Sequence, residues 1–280
     1  MAIAKGIGVI SNIKYVGTNL EKNFRKGVIN VVGNADWCDV ADPLDDTGYD
    51  KKDLADAVAA FNRNTDVGLI VTVGGLTTAV PALQHATKPF ISLFGGVTTD
   101  FPGTITGQFY GGVTLDTLKR NDERVTYLTR PPRNFTPDQI CLLTNPDGAI
   151  TGTEIYAWEH ASPGRGGVLK ARTEAEILSA FASFKQDKSL SAMVVSADGL
   201  FQDKKDALIK AANDSGKYVS YPLQIFANEG GGHHPSHGHH CKQGPKLATA
   251  YFSLGQKAAT VIRDGRASTL DPAPSEVHDG

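Results

Sequence analysis

The sequence predicts an α/β protein built from two successive parallel-sheet units, and three observations carry that reading. Short apolar runs alternate along the whole chain with longer segments of helical spacing, which is the pattern of βαβ units. Several of those runs lack polar alternation, as strands covered on both faces do. The rhythm breaks over Phe101–Phe135, at Pro102, Gly103, Gly107, Gly111, Gly112 and Pro131-Pro132, and restarts at Ile140. With 280 residues the chain is long for one core and comfortable for two units of about 100 to 150 residues each.

Taken in order, the expected strands are 6–10, where Ile7, Val9 and Ile10 follow a glycine, then 27–32, 68–73 and 89–93. The second unit supplies 140–144, 167–169, 192–196 and 218–226. Between them the 3.6-type spacing predicts helices over 51–62, 77–85, 174–186, 204–215 and 248–264. In the fourth of these, Ala207, Leu208, Ala211 and Ala212 form a buried stripe while Lys204, Lys205 and Lys210 stay in water, as in an ordinary cover helix. Each strand-to-helix junction carries Gly, Ser, Thr, Asn or Asp, residues that cap helix N-termini and supply close backbone donors.

Composition excludes several classes. Hydrophobic residues make up 40% and charged ones 21%, ordinary for a folded soluble protein. The net charge of -2 leaves no broad basic surface, so neither nucleic acid nor an anionic membrane is an expected partner. No run approaches the roughly 18 apolar residues that cross a bilayer, so no direct membrane insertion is expected. Residues 1–10 lack the basic, apolar and small-residue sections of a secretory signal. The expected location is cytoplasmic if Met1 is the native start and periplasmic if a signal has been removed.

Three cysteines, Cys38, Cys141 and Cys241, form no disulfide framework and no Cys-x-x-Cys clip. Cys141 sits in the apolar stretch Ile140–Leu143 and reads as a core residue. Gly74-Gly75 and Gly95-Gly96 lack the frames of phosphate loops, and no Gly-x-Ser-x-Gly elbow is present. The acidic pairs Asp45-Asp46 and Asp122-Glu123 lie in polar sequence and read as solvated loop residues. No catalytic residue is assigned and no cofactor is required.

Asp66–Gly75, followed by Thr77-Thr78-Ala79 and then Lys88–Ser92, looks like a strand, glycine turn, helix and next strand. Leu142-Leu143-Thr144-Asn145-Pro146 and the closing segment Tyr251–Ala259 through Ile262–Arg266 are further markers. On these stretches the sequence resembles the ABC-transporter substrate-binding proteins of the type I periplasmic-binding fold, the group that includes binders of aromatic amino acids, and the likeness covers nearly the whole chain. The resemblance implies two Rossmann-like lobes with parallel sheets joined by a hinge. One lobe would hold residues 1–112 plus about 245–266, and the other 113–244 plus 267–280. It further implies closure around a small-molecule ligand without chemistry, and an ABC permease as a possible partner.

Ligand contacts in such an architecture come from strand ends. These are Ser11 and Asn12, Gly75, Thr77 and Thr78, Phe94, Gly95 and Thr98, Asn145, Asp198, and Asn228 and Glu229. Hydroxyls and backbone N–H groups at helix N-termini, at Ser11, Thr77 and Thr78, suit a carboxylate, while Asp198 or Glu229 suits an ammonium group. An amino-acid-like zwitterion or a small organic acid fits that set. The same residue types also serve as caps and turn formers. Among the aromatics Trp37, Phe94, Phe109, Tyr110, Tyr156 and Trp158, which stack on ligands or fill cores, Phe94 stands out by its place at a strand end beside Gly95-Gly96.

The segment Gly230–Cys241 holds five of the chain's 8 histidines. His233, His234, His237, His239, His240 and Cys241 are candidate ligands for Zn, Ni or Cu, since imidazole and thiolate suit those ions and a glycine-rich loop lets several reach one centre. The same stretch reads equally as a solvated loop, or as a lid or latch that responds to pH through its imidazoles. Three functions follow from the residues: a solute-binding protein, a cytoplasmic sensor or assembly protein on the same fold, and a metal-dependent enzyme using the histidine-rich loop.

Overall fold

The structure, a computed structural model, describes residues 6–11, 18–33, 39–41, 51–73, 75–94, 109–148, 150–222, 240–245, 247–265, 270–272 and 275–278. The chain divides into two compact units, Met1–Leu115 with Leu247–Pro274, and Asp116–Lys246 with Ser275–Gly280. It therefore passes between them at 115/116, 246/247 and 274/275.

The first unit contains β1 (Gly6–Ser11), α1 (Asn19–Val32), β2 (Asp39–Ala41), α2 (Lys51–Arg63), β3 (Val67–Val73), α3 (Leu76–His85), β4 (Phe90–Phe94) and β5 (Phe109–Thr114). Late in the sequence it adds a long helix, Leu247–Asp264, and a short strand, Leu270–Pro272. The second contains α4 (Thr117–Thr129), a 3-10 turn at Pro137–Gln139, β6 (Ile140–Thr144), α5 (Thr151–Glu159), β7 (Val168–Lys170) and α6 (Glu174–Gln186). There follow β8 (Ala192–Val195), α7 (Gly199–Asp203), α8 (Lys205–Ser215), β9 (Tyr218–Tyr221) and β10 (His240–Pro245). The long helix is α9, the Leu270–Pro272 strand β11, and the last strand, Ser275–His278, β12.

Among the described residues each sheet has six strands, in the orders β11-β5-β4-β3-β1-β2 and β12-β10-β9-β8-β6-β7. The two orders are the same: in each unit the first strand lies between the second and the third. All described pairings are parallel except one, since β12 runs antiparallel to β10 with Lys242 opposite His278. An all-parallel reading is thus corrected at one edge of the second sheet. β11 pairs with β5 of the first sheet, so residues 267–280, assigned together to the second lobe, are divided between the units. β1, β3, β6 and β8 are buried along their full length, which is why they read as unbroken apolar runs.

Several elements depart from expectation, and two of them show the physical reason. The run 27–32, read as a strand, is the second half of α1. Thr18 caps that helix by accepting a hydrogen bond from the Glu21 N–H at 3.4 Å, and a Thr followed three residues later by Glu is the start signal that outweighs the valines. Phe24, Gly27 and Val28 then turn to the core. The stretch 117–129, read as part of an irregular middle, is α4. Its sequence hides it because most of the covered face is polar: Thr117, Arg120, Asn121 and Arg124 are buried beside Val125 and Leu128, against the usual pattern of an amphipathic helix. Asp122 and Glu123 accordingly lie on a helix, each ion-paired, with Arg165 at 2.7 Å and Arg120 at 2.8 Å.

The first core joins Ile7, Val9, Leu69, Val71, Ile91 and Val113 of the sheet to Phe24 and Val28 of α1 and to Tyr251, Leu254 and Ala258 of α9. α1 and α9 meet at glycines: a Cβ on Gly255 would lie 2.1 Å from the Phe24 carbonyl oxygen, and one on Gly27 2.0 Å from that of Phe252. The second unit packs Val125, Leu128 and Trp158 against Ile140, Leu142, Ala192 and Val194. The Trp158 indole N–H donates to the Gly166 carbonyl at 2.7 Å, which fixes the register of α5.

Cys141 is fully buried in β6, in agreement with its reading as a core residue. Burial pushes its thiol up to about 12, so the group stays protonated at neutral pH, and the thiolate is the reactive form. In a Cys38→Ser, Cys241→Ser protein, Cys141 should resist a disulfide-exchange reagent at pH 8 and react at once in denaturant. Labelling of the folded protein at the rate of a free thiol would contradict this burial.

Candidate functional site

In a parallel sheet whose first strand lies between the second and third, connections leave those central strands in opposite directions. A crevice opens outside their carboxyl ends. In the first unit this switch point lies at β1 and β3, in the second at β6 and β8. Ser11 ends β1 and stands in register with Val73, the last residue of β3, while Asn145 follows β6 and Asp198 follows β8 shortly after its end.

In the second unit the sequence-predicted residues come together. The Asn145 side-chain amide donates to Asp198 Oδ1 at 3.0 Å. The Asn145 carbonyl oxygen of the side chain accepts the Asp147 N–H at 3.1 Å, and its backbone oxygen accepts the Gly148 N–H at 3.0 Å. This tight turn sets the amide's direction. Asp198 caps α7 through Oδ1, which also accepts the Leu200 N–H at 2.9 Å. Its other oxygen, Oδ2, has no hydrogen-bond donor among the described residues and lies beside Gly148, where an added Cβ would come within 2.7 Å of it. Both Asn145 and Asp198 are partly exposed. The pair can therefore offer a carboxylate oxygen and an amide hydrogen to a solute while its geometry is held by the chain.

Directly beneath lies a buried polar group that sequence reasoning missed. Glu154, in the first turn and a half of α5, is 1% exposed. Its Oε2 accepts the hydroxyls of Thr144 at 3.0 Å and Ser196 at 2.7 Å, and its Oε1 accepts the Asn121 amide at 2.6 Å. The Asn121 side-chain oxygen accepts from Arg124 Nη2. Arg124, fully buried, also donates through Nη1 to the Val195 and Ser220 carbonyls at 2.6 and 3.2 Å. No sequence signal points here, because the polar run of α4 reads as a solvated segment.

In the first unit, Gly75 (φ 89°) opens α3 with no side-chain cap, so backbone donors at that N-terminus face the carboxyl end of β3. Thr78 is fully buried, and its hydroxyl lies 3.1 and 3.0 Å from the Val73 and Gly75 carbonyls. It shapes the turn. Thr77 is in the first turn of α3, and Phe94 is the last residue of β4. Of the remaining expected residues, Asn12, Gly95, Thr98, Asn228, Glu229, His233, His234, His237 and His239 lie outside the described residues. His240 and Cys241 open β10, paired with Val219 and Ser220 of β9, so these two belong to a strand and not to a loop. Among the described residues no group of three or more His, Cys, Asp or Glu is placed to hold a metal ion, and no helix is long and apolar enough to cross a membrane.

No protein family matches the chain by sequence, and no curated protein does. Solved structures match over almost its whole length. An ABC domain in complex with L-Trp from Streptococcus pneumonia superposes with a TM-score of 0.74 at 13% identity, covering 98% of this chain and 91% of that one. The fold is that of the type I periplasmic-binding proteins. A ligand-free, open substrate binding protein with adhesive properties from Clostridium difficile shares it, with a TM-score of 0.63, 14% identity and the same coverages of 98% and 91%. So does a LacI family transcriptional regulator from Enterococcus faecalis with bound ribose, with a TM-score of 0.65, 12% identity and coverages of 98% and 97%. The periplasmic-binding fold accounts for the repeated strand order and for the return of α9 and β11 to the first unit.

Proposed function

We propose that this chain binds a small solute bearing an ammonium group, of amino-acid-like character, and does no chemistry on it. The observation that carries the reading is the Asn145–Asp198 pair, 3.0 Å apart, held at the switch point of a parallel sheet with one carboxylate oxygen uncommitted among the described residues. A carboxylate in that position pairs with a cationic donor more strongly than with a neutral one.

Two roles use the same site. In the first the protein is the solute-binding part of an ABC transport system and hands its ligand to a permease. In the second it is a sensor, and the likeness to a ribose-bound LacI family regulator favours keeping that reading. A permease that stimulates release of bound solute in reconstituted vesicles separates the first from the second.

The test is thermal unfolding of metal-stripped protein against amino acids, aromatic acids, ribose and the chlorides of Zn, Ni and Cu. A solute at 100 times its Kd adds about 2.7 kcal/mol of stability. An amino acid is expected to give that shift, and Asp198→Asn, which keeps a good helix cap, should weaken its binding by about tenfold or more, as loss of a charged hydrogen bond does. A shift from metals alone would move the function to the histidine-rich segment, and full binding in Asp198→Asn would refute the site.

A further inference from the structure

We propose that Arg124, Asn121 and Glu154 are positioning residues for the Asn145–Asp198 pair. The three form a buried relay that sets the pair's geometry from α4 and α5. This rests on the reading of that pair as the ligand contact.

The placement carries the argument. Glu154 grips Thr144 and Ser196 through one oxygen. Thr144 is the residue before Asn145 and Ser196 stands two before Asp198, so a single carboxylate oxygen ties together the two strand ends that carry the pair. The tie crosses the switch point, where the ladder between β6 and β8 ends: its last paired residues are Leu143 and Val195. Beyond that point the backbone bond from Ser196 N–H to Leu143 O, 2.8 Å, is followed by side-chain bonds to Glu154. Arg124 completes the set by holding the carbonyls of Val195 and Ser220, next to and one strand beyond the Asp198 turn.

Stability alone does not account for this cluster. Replacing buried charges by well-packed apolar groups is often neutral or favourable, whereas a fully satisfied polar network fixes one geometry. Preorganised contact residues need such a supporting layer.

Hydrogen-bond direction makes the relay testable. Asn121 donates its amide to Glu154 and accepts from Arg124 with its oxygen, so neither group can be inverted. In Glu154→Gln the amide oxygen can stay on the Asn121 amide only if the NH2 turns to Thr144 and Ser196, whose hydroxyls must then accept and lose Glu154 as the acceptor for their own protons; with the oxygen kept on the hydroxyls, the NH2 meets the Asn121 amide, and flipping Asn121 moves the conflict to Arg124. Asn121→Asp sets two carboxylates together. The double variant Asn121→Asp, Glu154→Gln restores every bond. Its introduced glutamine accepts the two hydroxyls through the amide oxygen and donates its amide hydrogen to the introduced aspartate, which accepts from Arg124 and keeps one negative charge in the cluster.

The experiment is NMR of the Asn145 side-chain amide without ligand, together with calorimetric titration of L-tryptophan as the probe. Each single variant should move the Asn145 amide protons toward the positions of a free asparagine. Each should also weaken L-tryptophan binding by about tenfold, the loss expected for one hydrogen bond to a charged group. The double variant should bring both readouts back to those of the parent. Should Glu154→Gln not fold, Thr144→Val with Ser196→Ala removes the same grip without touching the charges and is read in the same way. Unmoved Asn145 signals in the single variants, or no recovery in the double, would overturn the relay. The amide readout needs no ligand, so failure of the parent to bind L-tryptophan would count against the ligand reading and leave the relay decided by the NMR arm.

Discussion

Gly255→Ala is expected to destabilise the protein by about 3 kcal/mol or more, the upper range for forcing extra carbon into a packed core. The reason lies in what the new methyl would meet. Its neighbours are the Phe24 carbonyl oxygen at 2.1 Å, the Phe24 carbonyl carbon at 3.0 Å and the Val28 nitrogen at 3.1 Å, all backbone atoms inside α1. A side chain can rotate away, but a helix backbone cannot yield at one residue without moving the helix. Alanine's better helix propensity offsets only about 0.5–1 kcal/mol of this. Gly27→Ala should behave alike, because its methyl would strike the Phe252 carbonyl from the other side. Urea unfolding checks the expectation, with Gly152→Ala as control, since a methyl on Gly152 meets nothing within 4 Å. Equal stability of Gly255→Ala and the parent would mean that α1 and α9 do not cross backbone to backbone.

Arg124→Met is expected to cost about 3–5 kcal/mol, the range for removing one partner from a buried charged cluster. Methionine fills much of the aliphatic volume, so the loss reports on polar groups and not on a cavity. The Val195 and Ser220 carbonyls and the Asn121 oxygen each lose a donor in a region closed to water, and the Glu154 carboxylate loses the positive charge two bonds away across Asn121. Asn121→Ala should cost less, because Arg124 keeps its two carbonyl partners. The midpoint and slope of urea unfolding give the measurement, and an unchanged slope would show that only the folded state is affected. A loss under about 1 kcal/mol, within the range of a surface ion pair, would place Arg124 in contact with water.

Much of the fold is legible in the sequence because a strand covered on both faces has no polar side to disguise it. β1, β3, β6 and β8 announce themselves as apolar runs, and the helices that cover them keep their periodicity. α1 is disguised where valine and isoleucine crowd its second half, since a short window cannot see the cap at Thr18. α4 escapes for the opposite reason. A helix whose buried face carries arginine and asparagine looks like a solvated segment until its partners are known.

The candidate site divides the same way. Asn145 and Asp198 are legible one at a time, because strand ends in a parallel sheet are where polar side chains and turns belong. That they meet is not, since 53 residues separate them. Glu154, Asn121 and Arg124 carry no signal of their own, since the contacts that join their elements lie 33 residues apart between Asn121 and Glu154 and up to 96 between Arg124 and Ser220.

By itself, then, the sequence determined the strand and helix content of most of both units, the two-unit plan and the kinds of residue at the strand ends. These follow from local patterning, which any window of the chain displays. The resemblance already placed α9 with the first unit; the tertiary structure alone decided that β11 returns there as well, that β12 runs antiparallel, and that a carboxylate, an amide and a guanidinium are buried together beneath the Asn145–Asp198 pair. Those outcomes depend on which distant segments share a low-dielectric interior. There a charge survives only with partners, and the partners are chosen in space rather than along the chain.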